Sequence, residues 1–581
     1  EDGANWTRAT ASADWSARGL HNGVAAFGGR LWVFGGHDGD ALNDIWWSTD
    51  GATWTETAAP AAWSGRSGHA VVPHGGRLWL MGGGADTERS DVWHSGDGET
   101  WVESSRYALW GIRSVHAAAS FDGRLWVLGG HQIDVAGRMN DVWALSGAGN
   151  SAPEIAWNAC LGSGGDETGN FVVPASDGGY VIAGRASANG GDVTGHHGGS
   201  GYDAWVTKID EEGAIVWQDC FGGTGDEEPR GLSRSSDGGY FICAPSGSND
   251  GDVSGNHGGM YDMWVAKLDN AGGLDWQKCL GGSGTDWAYS IEGTPDGGCI
   301  VTGVTTSTDG DVTERHGGED LWAVKLTSAG AIDWQHVLGG SGRDGAYNDV
   351  CVVDGGYVLA GLSSSTDGDV SENNGGEDFW VVKLNLSGGI VWEHSYGGSA
   401  QDVPGEIKEA SDGSLLVTGY TRSSDGDVSE YFGGGHDTWV LKLDALGNLV
   451  WQKSLGGSAK DSGKDILETA EGDYLVLCTT ESTDGHVSEL RGGKDVWAVQ
   501  LTPYGDIMWE RCLGGTGDDA GSVAALQTPG CGYLLVATTD SADGDVTGHL
   551  GDYDCWVVRL AGEDTDPPLL TLLGETPVTL Q

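Results

Sequence analysis

Positive charge is the scarcest feature of this sequence: thirty Lys and Arg stand against eighty-five Asp and Glu in 581 residues, a net charge of −55. Such a chain repels phosphate backbones and anionic headgroups, which disfavours nucleic-acid and membrane-surface partners. Long apolar runs are missing as well. No eighteen-residue apolar stretch occurs, so no helical span and no direct membrane insertion is expected from this sequence. The ten cysteines show no CxxC or CxxH spacing, which argues against zinc.

Glycine is what the sequence has in excess, at 104 residues. Without a period this would suggest low complexity, but the glycines recur in GG, DGGY and HGG, where turns need positive φ or close backbone approach. Between Trp157 and Trp556 one unit recurs seven times at steps of 58 to 60 residues. Residues 322–378 illustrate it: a strand with a first tryptophan (WAVKL), a turn, a strand with a second (IDWQHVLGG), an SGRD turn, a third strand, a DGGY turn, a fourth strand (YVLAGLSSS) and the loop STDGDVSENNGGED. The first tryptophans are Trp205, Trp264, Trp322, Trp380, Trp439, Trp497 and Trp556. Four short strands cannot bury their apolar faces alone and must stack on copies of themselves. Propellers typically hold four to eight such blades. We therefore expect an all-β fold: a β-propeller over 154–561, of seven four-stranded blades closed by strand exchange.

Residues 1–147 carry a different, 47-residue unit. Its GRLWxxGG strands start at Gly29, Gly76 and Gly123. Each is preceded by Arg-x-x-His (Arg18/His21, Arg66/His69, Arg113/His116) and followed by Asp-x-Trp (Asp44/Trp46, Asp91/Trp93, Asp141/Trp143). These motifs resemble the kelch family, and the resemblance implies three further propeller blades. Three are too few to close a ring, so blades upstream of Glu1 are expected to complete it. The segment 148–153 reads as a linker. Residues 562–581 read as a linker and the first strand of an immunoglobulin-like domain, because TDPPLLTLLGETPVTL resembles the opening of stalk repeats in bacterial surface proteins. The 58-residue unit itself resembles repeats of large secreted bacterial surface proteins, which implies fold rather than chemistry.

The recurrent SxDGDV loop sets two carboxylates two residues apart: Asp250/Asp252, Asp309/Asp311, Asp367/Asp369, Asp425/Asp427 and Asp543/Asp545. Calcium takes six to eight oxygens from loops of this kind and is the one candidate cofactor. The alternative is an Asp-Gly turn whose carboxylates cap backbone amides. His197, His257 and His316, each before a diglycine, read as solvated loop residues. The kelch Arg and His recur in every unit, which speaks for inter-blade hydrogen bonding rather than catalysis.

Strand counting gives the closure. The strand carrying Trp157 is expected to supply the outermost strand of the blade that ends at Trp556, since an open edge invites aggregation. Counting back from the hairpin turn puts Met263 opposite Cys279 and, across the closure, Cys555 opposite Cys160, close enough for a disulfide. The rival is a single ten-blade ring, with the Trp157 strand beside the Trp143 strand.

No catalytic cluster breaks the repeat symmetry in the sequence. The expected function is a non-enzymatic recognition or adhesion module of a large multidomain surface protein, extracellular or at the cell surface, with a protein or glycan ligand. Self-association in a surface filament or layer is the alternative. An enzyme with its active site in the channel or in missing upstream blades is the second, and a channel-facing polar cluster on one blade only would favour it. Because the diglycine strands stack only on neighbouring blades, residues 1–147 expressed alone are expected to be insoluble or to melt without cooperativity; a sharp two-state transition would contradict this.

Overall fold

The computed structural model describes the chain except residues 1–7, 20–22, 59–60, 75, 85–88, 106–109, 111, 122–123, 133–136, 146–151, 200, 346, 348, 471, 529–531, 562–569 and 573–581. Among the described residues all regular structure is β-strand, gathered into ten four-stranded antiparallel sheets. Seven come from the long repeat. Their inner strands are Phe171–Pro174, Gly231–Arg234, Asp286–Gly293, Asp349–Val353, Asp402–Glu409, Asp461–Glu468 and Asp519–Thr528, which number the sheets one to seven. Each inner strand contacts the next, and the seventh contacts the first. The row of sheets thus returns on itself around an axis, as in a propeller.

The first tryptophan of every unit sits on the third strand and is 0–1% exposed. Its indole nitrogen cannot be left without an acceptor in such a place. The acceptor is the side chain one residue after the second tryptophan, on the fourth strand: Gln218 at 2.9 Å from Trp205, Gln335 at 2.8 Å from Trp322, Glu393 at 2.9 Å from Trp380. The seventh sheet takes its fourth strand, Ile155–Leu161, from the beginning of the segment, and there Asn158 accepts from Trp556 at 3.3 Å. The Trp157 strand therefore pairs with the Trp556 strand. The Trp143 strand instead pairs with Leu570–Leu572, inside the stretch expected to open an immunoglobulin-like domain.

The register differs from the counted one by a residue. Trp264 lies opposite Cys279 and Met263 opposite Leu280, because Asp275 is an unpaired extra residue between Lys267↔Trp276 and Leu268↔Leu274. The same β-bulge recurs in the other six sheets, with Ala156 as the extra residue at the closure. Cys160 thus opposes Trp556, and Leu161 opposes Cys555. A one-residue slip moves every side chain to the other face. Cys160 accordingly packs with Trp556 between the sixth and seventh sheets, while Cys555 packs with Leu161 toward the first. Both thiols are free and buried, and the expected disulfide is overturned by the bulge.

Adjacent sheets are fastened at the hairpin turns. Gly330, at φ 75°, brings its turn against the Trp276 ring of the previous sheet, where a Cβ would sit 3.0 Å from the indole. Trp276 Nε1 donates to Ser328 O of that turn at 3.1 Å. Trp334 and Trp451 make the same contact with Leu386 and Pro503.

The kelch part forms three further sheets. In each, the Arg of Arg-x-x-His forms a paired bond with the Asp of Asp-x-Trp: Arg66 reaches Asp91 at 2.8 Å through both Nη atoms, and Arg113 reaches Asp141 at 3.0 and 2.9 Å. These side-chain bonds stay within one unit. The unit-to-unit bonds come from the backbone, with Gly36 N donating to Arg66 O and Gly83 N to Arg113 O. The Arg role is structural, as expected, but its side chain braces its own sheet rather than its neighbour. His21 lies outside the described residues, and both ring nitrogens of buried His69 lack a hydrogen-bond partner among them.

The two parts meet at the sixth sheet. Tyr504 donates to Asp97 O at 3.1 Å and packs edge-on against Phe27 at 5.7 Å. Arg77 Nη2 reaches Asp473 Oδ2 at 2.9 Å, with the Asp473 side chain 1% exposed. Five other sheets carry Lys at the position of Gln500 (Lys208, Lys267, Lys325, Lys383, Lys442), so the sixth lacks its own cation. Arg77→Leu, which removes this cation from the buried Asp473 carboxylate, is expected to destabilise the full chain by about 3 kcal/mol. Adding Gln500→Lys should recover much of it in a denaturant titration, and an unchanged midpoint for Arg77→Leu would refute the pairing.

Candidate functional site: carboxylate loops and the propeller channel

The DGDV loops stand at equivalent places in successive sheets, and their carboxylates face backbone amides. The first Asp of each loop accepts from the GGSG turn: Asp309 from Ser283 N, Asp367 from Ser341 N and Asp425 from Ser399 N, each at 2.7 Å, and Asp250 and Asp543 from Thr224 N and Thr516 N at 2.8 Å. The second Asp caps the first glycine of that turn, with Asp369 3.1 Å from Gly339 N, Asp427 3.1 Å from Gly397 N, and Asp252, Asp311 and Asp545 at 3.3 to 3.4 Å from theirs. No group of three or more His, Cys, Asp or Glu has the arrangement of a metal centre among the described residues.

The diglycine histidines are more engaged than solvated loop residues would be. His197 bridges Asp203 at 2.9 Å and Asp252 at 3.3 Å; His257 bridges Asp262 at 2.9 Å and Asp311 at 3.7 Å. His316 lies 3.6 Å from Asp369. Arg491 takes the equivalent place beside Asp545 at 2.5 Å.

Beneath each loop lies a buried carboxylate. The Asp that opens the third strand is fully buried, its Oδ2 takes backbone amides, and its Oδ1 has no partner among the described residues: Asp203, Asp262, Asp320, Asp378, Asp437, Asp495 and Asp554. A second buried carboxylate from the following inner strand stands close by, as Asp378 with Asp402, Asp437 with Asp461 and Asp495 with Asp519. Burial first, then repulsion from that neighbour, raises Asp378 and Asp437 to about 7 and Asp495 to about 6. The loss of hydration outweighs the amides that favour charge.

The second cluster lines the channel, a cavity of about 1070 Å³ bounded by all seven inner strands. The backbone here is sevenfold, but the side chains are not. At one level the strands carry Phe171, Gly231, Ser290, Asp349, Glu406, Asp465 and Ala524, so acids occupy one arc alone. Asp349 accepts from Ser290 Oγ at 2.5 Å and Ile407 N at 3.0 Å, Asp465 accepts from Ala525 N at 2.8 Å, and Glu406 pairs with Lys408. Asp349 and Asp465 thereby bind neighbouring sheets together. The polar cluster spans four sheets, not one.

One step toward the loop rim, β-bulges leave Tyr289, Gly405 and Lys464 unpaired on the third, fifth and sixth inner strands. A bulge re-aims its side chain, and on an inner strand the open side is the channel. Tyr289 stands 5.9 Å from Tyr347, whose φ of 56° is unusual for a bulky residue. Tyr420 stacks on His436 at 4.3 Å. Burial first, then Arg422, Lys464 and Lys460, push His436 down to about 4. Aligning the seven units by their tryptophans exposes this site as the positions that refuse to repeat.

The comparisons with known proteins give one family match. Residues 18–56 match the Kelch motif, over the first kelch sheet. No curated protein matches the chain. Among solved structures, BamB from Moraxella catarrhalis aligns with 13% identity and a TM-score of 0.35, over 71% of this chain and 99% of that one. Kuenenia stuttgartiensis hydrazine synthase aligns with 14% identity and a TM-score of 0.32, over 57% and 86%. Likenesses this weak carry no argument about ligand or chemistry. The chain is an all-β propeller protein with a kelch motif.

The raised carboxyls have a consequence for stability. Their folded pKa values lie above the unfolded value near 3.9, so the folded state holds these protons more tightly. The stabilisation is complete below about pH 4 and is lost as pH rises through 6 to 7. Melting temperature is expected to fall by a few degrees between pH 5 and 8, and less in Asp378→Asn; a flat profile would contradict the buried pairs. The same melt at pH 8 tests calcium: a calcium-dependent rise abolished by Asp367→Asn marks binding, and no shift leaves the loop carboxylates as amide caps.

Proposed function

We propose that the chain is a non-enzymatic recognition module that acts outside the cell, as the head of an adhesin-like multidomain surface protein, and that it binds its ligand at the loop-side mouth of the channel. The observation that carries this reading is the contrast between a backbone that repeats seven times and a channel mouth whose side chains do not. Structural demands are the same in every sheet and yield the same residues. A ligand makes demands at one place only. Propellers commonly mediate protein interaction, and the mouth here combines exposed aromatic rings with charge, the usual composition of a binding centre.

The channel acids favour binding over catalysis. Asp349 is fixed by two hydrogen bonds, Asp465 by one, and Glu406 is paired with Lys408, which leaves no free pair of these acids poised across a reacting bond among the described residues. An enzymatic reading would turn on Glu292, which burial pushes to about 7. Its hydroxyl neighbour, Ser233, accepts from Gly293 N at 2.9 Å, a bond between adjacent inner strands that gives the hydroxyl a structural task.

The test is an array of extracellular glycans and surface proteins probed with the full chain. Binding that falls at least tenfold in Tyr347→Ala and Tyr289→Ala, with melting temperature kept, supports the reading. Binding that survives both substitutions moves the site elsewhere, and assembly of the purified chain into filaments or sheets without any ligand favours the structural alternative.

A further inference from the structure

The chain as a whole is strongly acidic, yet its channel is not. Six of its thirty basic residues line the cavity, Arg230, Arg234, Lys408, Lys460, Lys464 and Lys494, beside five acids, Glu292, Asp349, Glu406, Asp465 and Glu481. Lys408 is committed to Glu406. On the sixth sheet the balance is different. The ammonium groups of Lys460 and Lys464 have neither an ion-pair nor a hydrogen-bond partner among the described residues, and that of Lys494 lies 3.6 Å from Glu481. In a protein with almost three acids for every base, lysines left unpaired side by side are not explained by folding. The charge of Lys494 opposes that of Lys464, a cost that a structural role would have removed with a neighbouring carboxylate, of which the sequence has many.

The fold holds these lysines in place. Lys464 is the bulged residue between Gly463 and Asp465, which turns it out of the sheet toward the lumen. Lys494 is held by its own carbonyl, which accepts from Asp519 N at 2.6 Å in the bond that every sheet makes with the next. The Lys460 stem lies along Gly435, where a Cβ would be 2.9 Å from it. His436 beside them is neutral, so it adds a polar edge without charge. Tyr420 lies against His436, and Tyr289 and Tyr347 form a second aromatic pair at the mouth, with Tyr347 52% exposed.

We propose that this mouth binds an anionic saccharide, with Lys460, Lys464 and Lys494 holding its acid group and the tyrosines packing against the sugar ring. This rests on the recognition reading above and gives its ligand a chemical class. Lysine supplies point charges suited to a carboxylate or sulfate, and tyrosine offers an apolar face and a polar tip, matching the C–H face and hydroxyl edge of a pyranose. The cavity is large enough for a short oligosaccharide by the usual range of about 300–1,000 Å³. The net charge of the protein does not forbid this: at physiological salt screening acts over about 8 Å, so an anion at the mouth experiences the adjacent lysines more than the distant surface.

The experiment measures binding of a purified oligogalacturonide to the full chain by calorimetry, against its fully methyl-esterified form and against polyglutamate. The expected result is binding of the acid form, at least tenfold weaker for the ester, weakened by 0.5 M salt, and reduced at least tenfold by Lys464→Met and Lys460→Gln, with Lys278→Met on an outer strand as the unaffected control. Lys460 is exposed, so its variant reports even where Lys464→Met folds poorly. Equal binding of acid and ester, or binding indifferent to both lysine substitutions, overturns the proposal. Binding of polyglutamate as tight as the sugar overturns the saccharide arm. A neutral glycan or a protein captured through the tyrosines on the array would sustain the recognition reading while sinking this one.

Discussion

A four-stranded sheet of this size has two apolar faces and covers neither. In each of the seven sheets a tryptophan on the third strand is buried to the last few square ångströms, together with Val and Leu residues on both sides of the strand. That arrangement exists only when another sheet lies on each face. The packing decides the rest: the sheets must follow one another around an axis, the last must meet the first, and the tight turns that carry Gly330 and its equivalents must be small enough to lie on a neighbouring indole. The bond from each buried indole to a Gln, Glu or Asn on the fourth strand then fixes the hairpin register, because a buried N–H without an acceptor is costly. At the closure Asn158 takes this role from the far end of the segment.

The same geometry produces the channel. Seven inner strands meet with their outer edges paired and their inner edges free, so the axis is the one place where backbone edges face a cavity rather than another strand. Bulges at that edge turn single residues into the lumen without disturbing the packed faces behind them. Sequence variation there does not affect the stacking of the sheets. This is why Tyr289, Gly405 and Lys464 differ while their flanking residues obey the repeat, and why function can be concentrated where folding makes few demands.

Electrostatics runs through the molecule in two forms. Beneath each loop, a carboxylate is buried beside another, and the repulsion is relieved by a proton or by the donors that the His, Asn and Arg residues of the loops bring. At the junction between the kelch part and the seven-sheet part, the pairing is between units. The sixth sheet replaces the usual Lys with Gln500 and carries Asp473 in place of a turn glycine, and Arg77 from the kelch part supplies the missing charge. Two departures from the repeat that look like drift in the sequence form one contact in space.

Periodicity made the sheets legible. The tryptophan spacing gave the number of units, the strand count gave the exchange of Ile155–Leu161 into the last sheet, and the alternative role of the DGDV carboxylates as amide caps followed from ordinary turn chemistry. The register was not legible, because a bulged residue such as Asp275 resembles any other strand residue in one dimension, and that single residue separates Cys160 from Cys555 onto opposite faces. The buried carboxylate pairs and the channel mouth were hidden for a different reason. The members of each carboxylate pair come from neighbouring units 24 residues apart and those of the mouth from several units, so only the stacking of one sheet on the next brings them together. The sequence by itself determined what repeats, since each unit must satisfy the same local bonds; the tertiary structure alone decided what converges on the axis, since that depends on how seven units close around it.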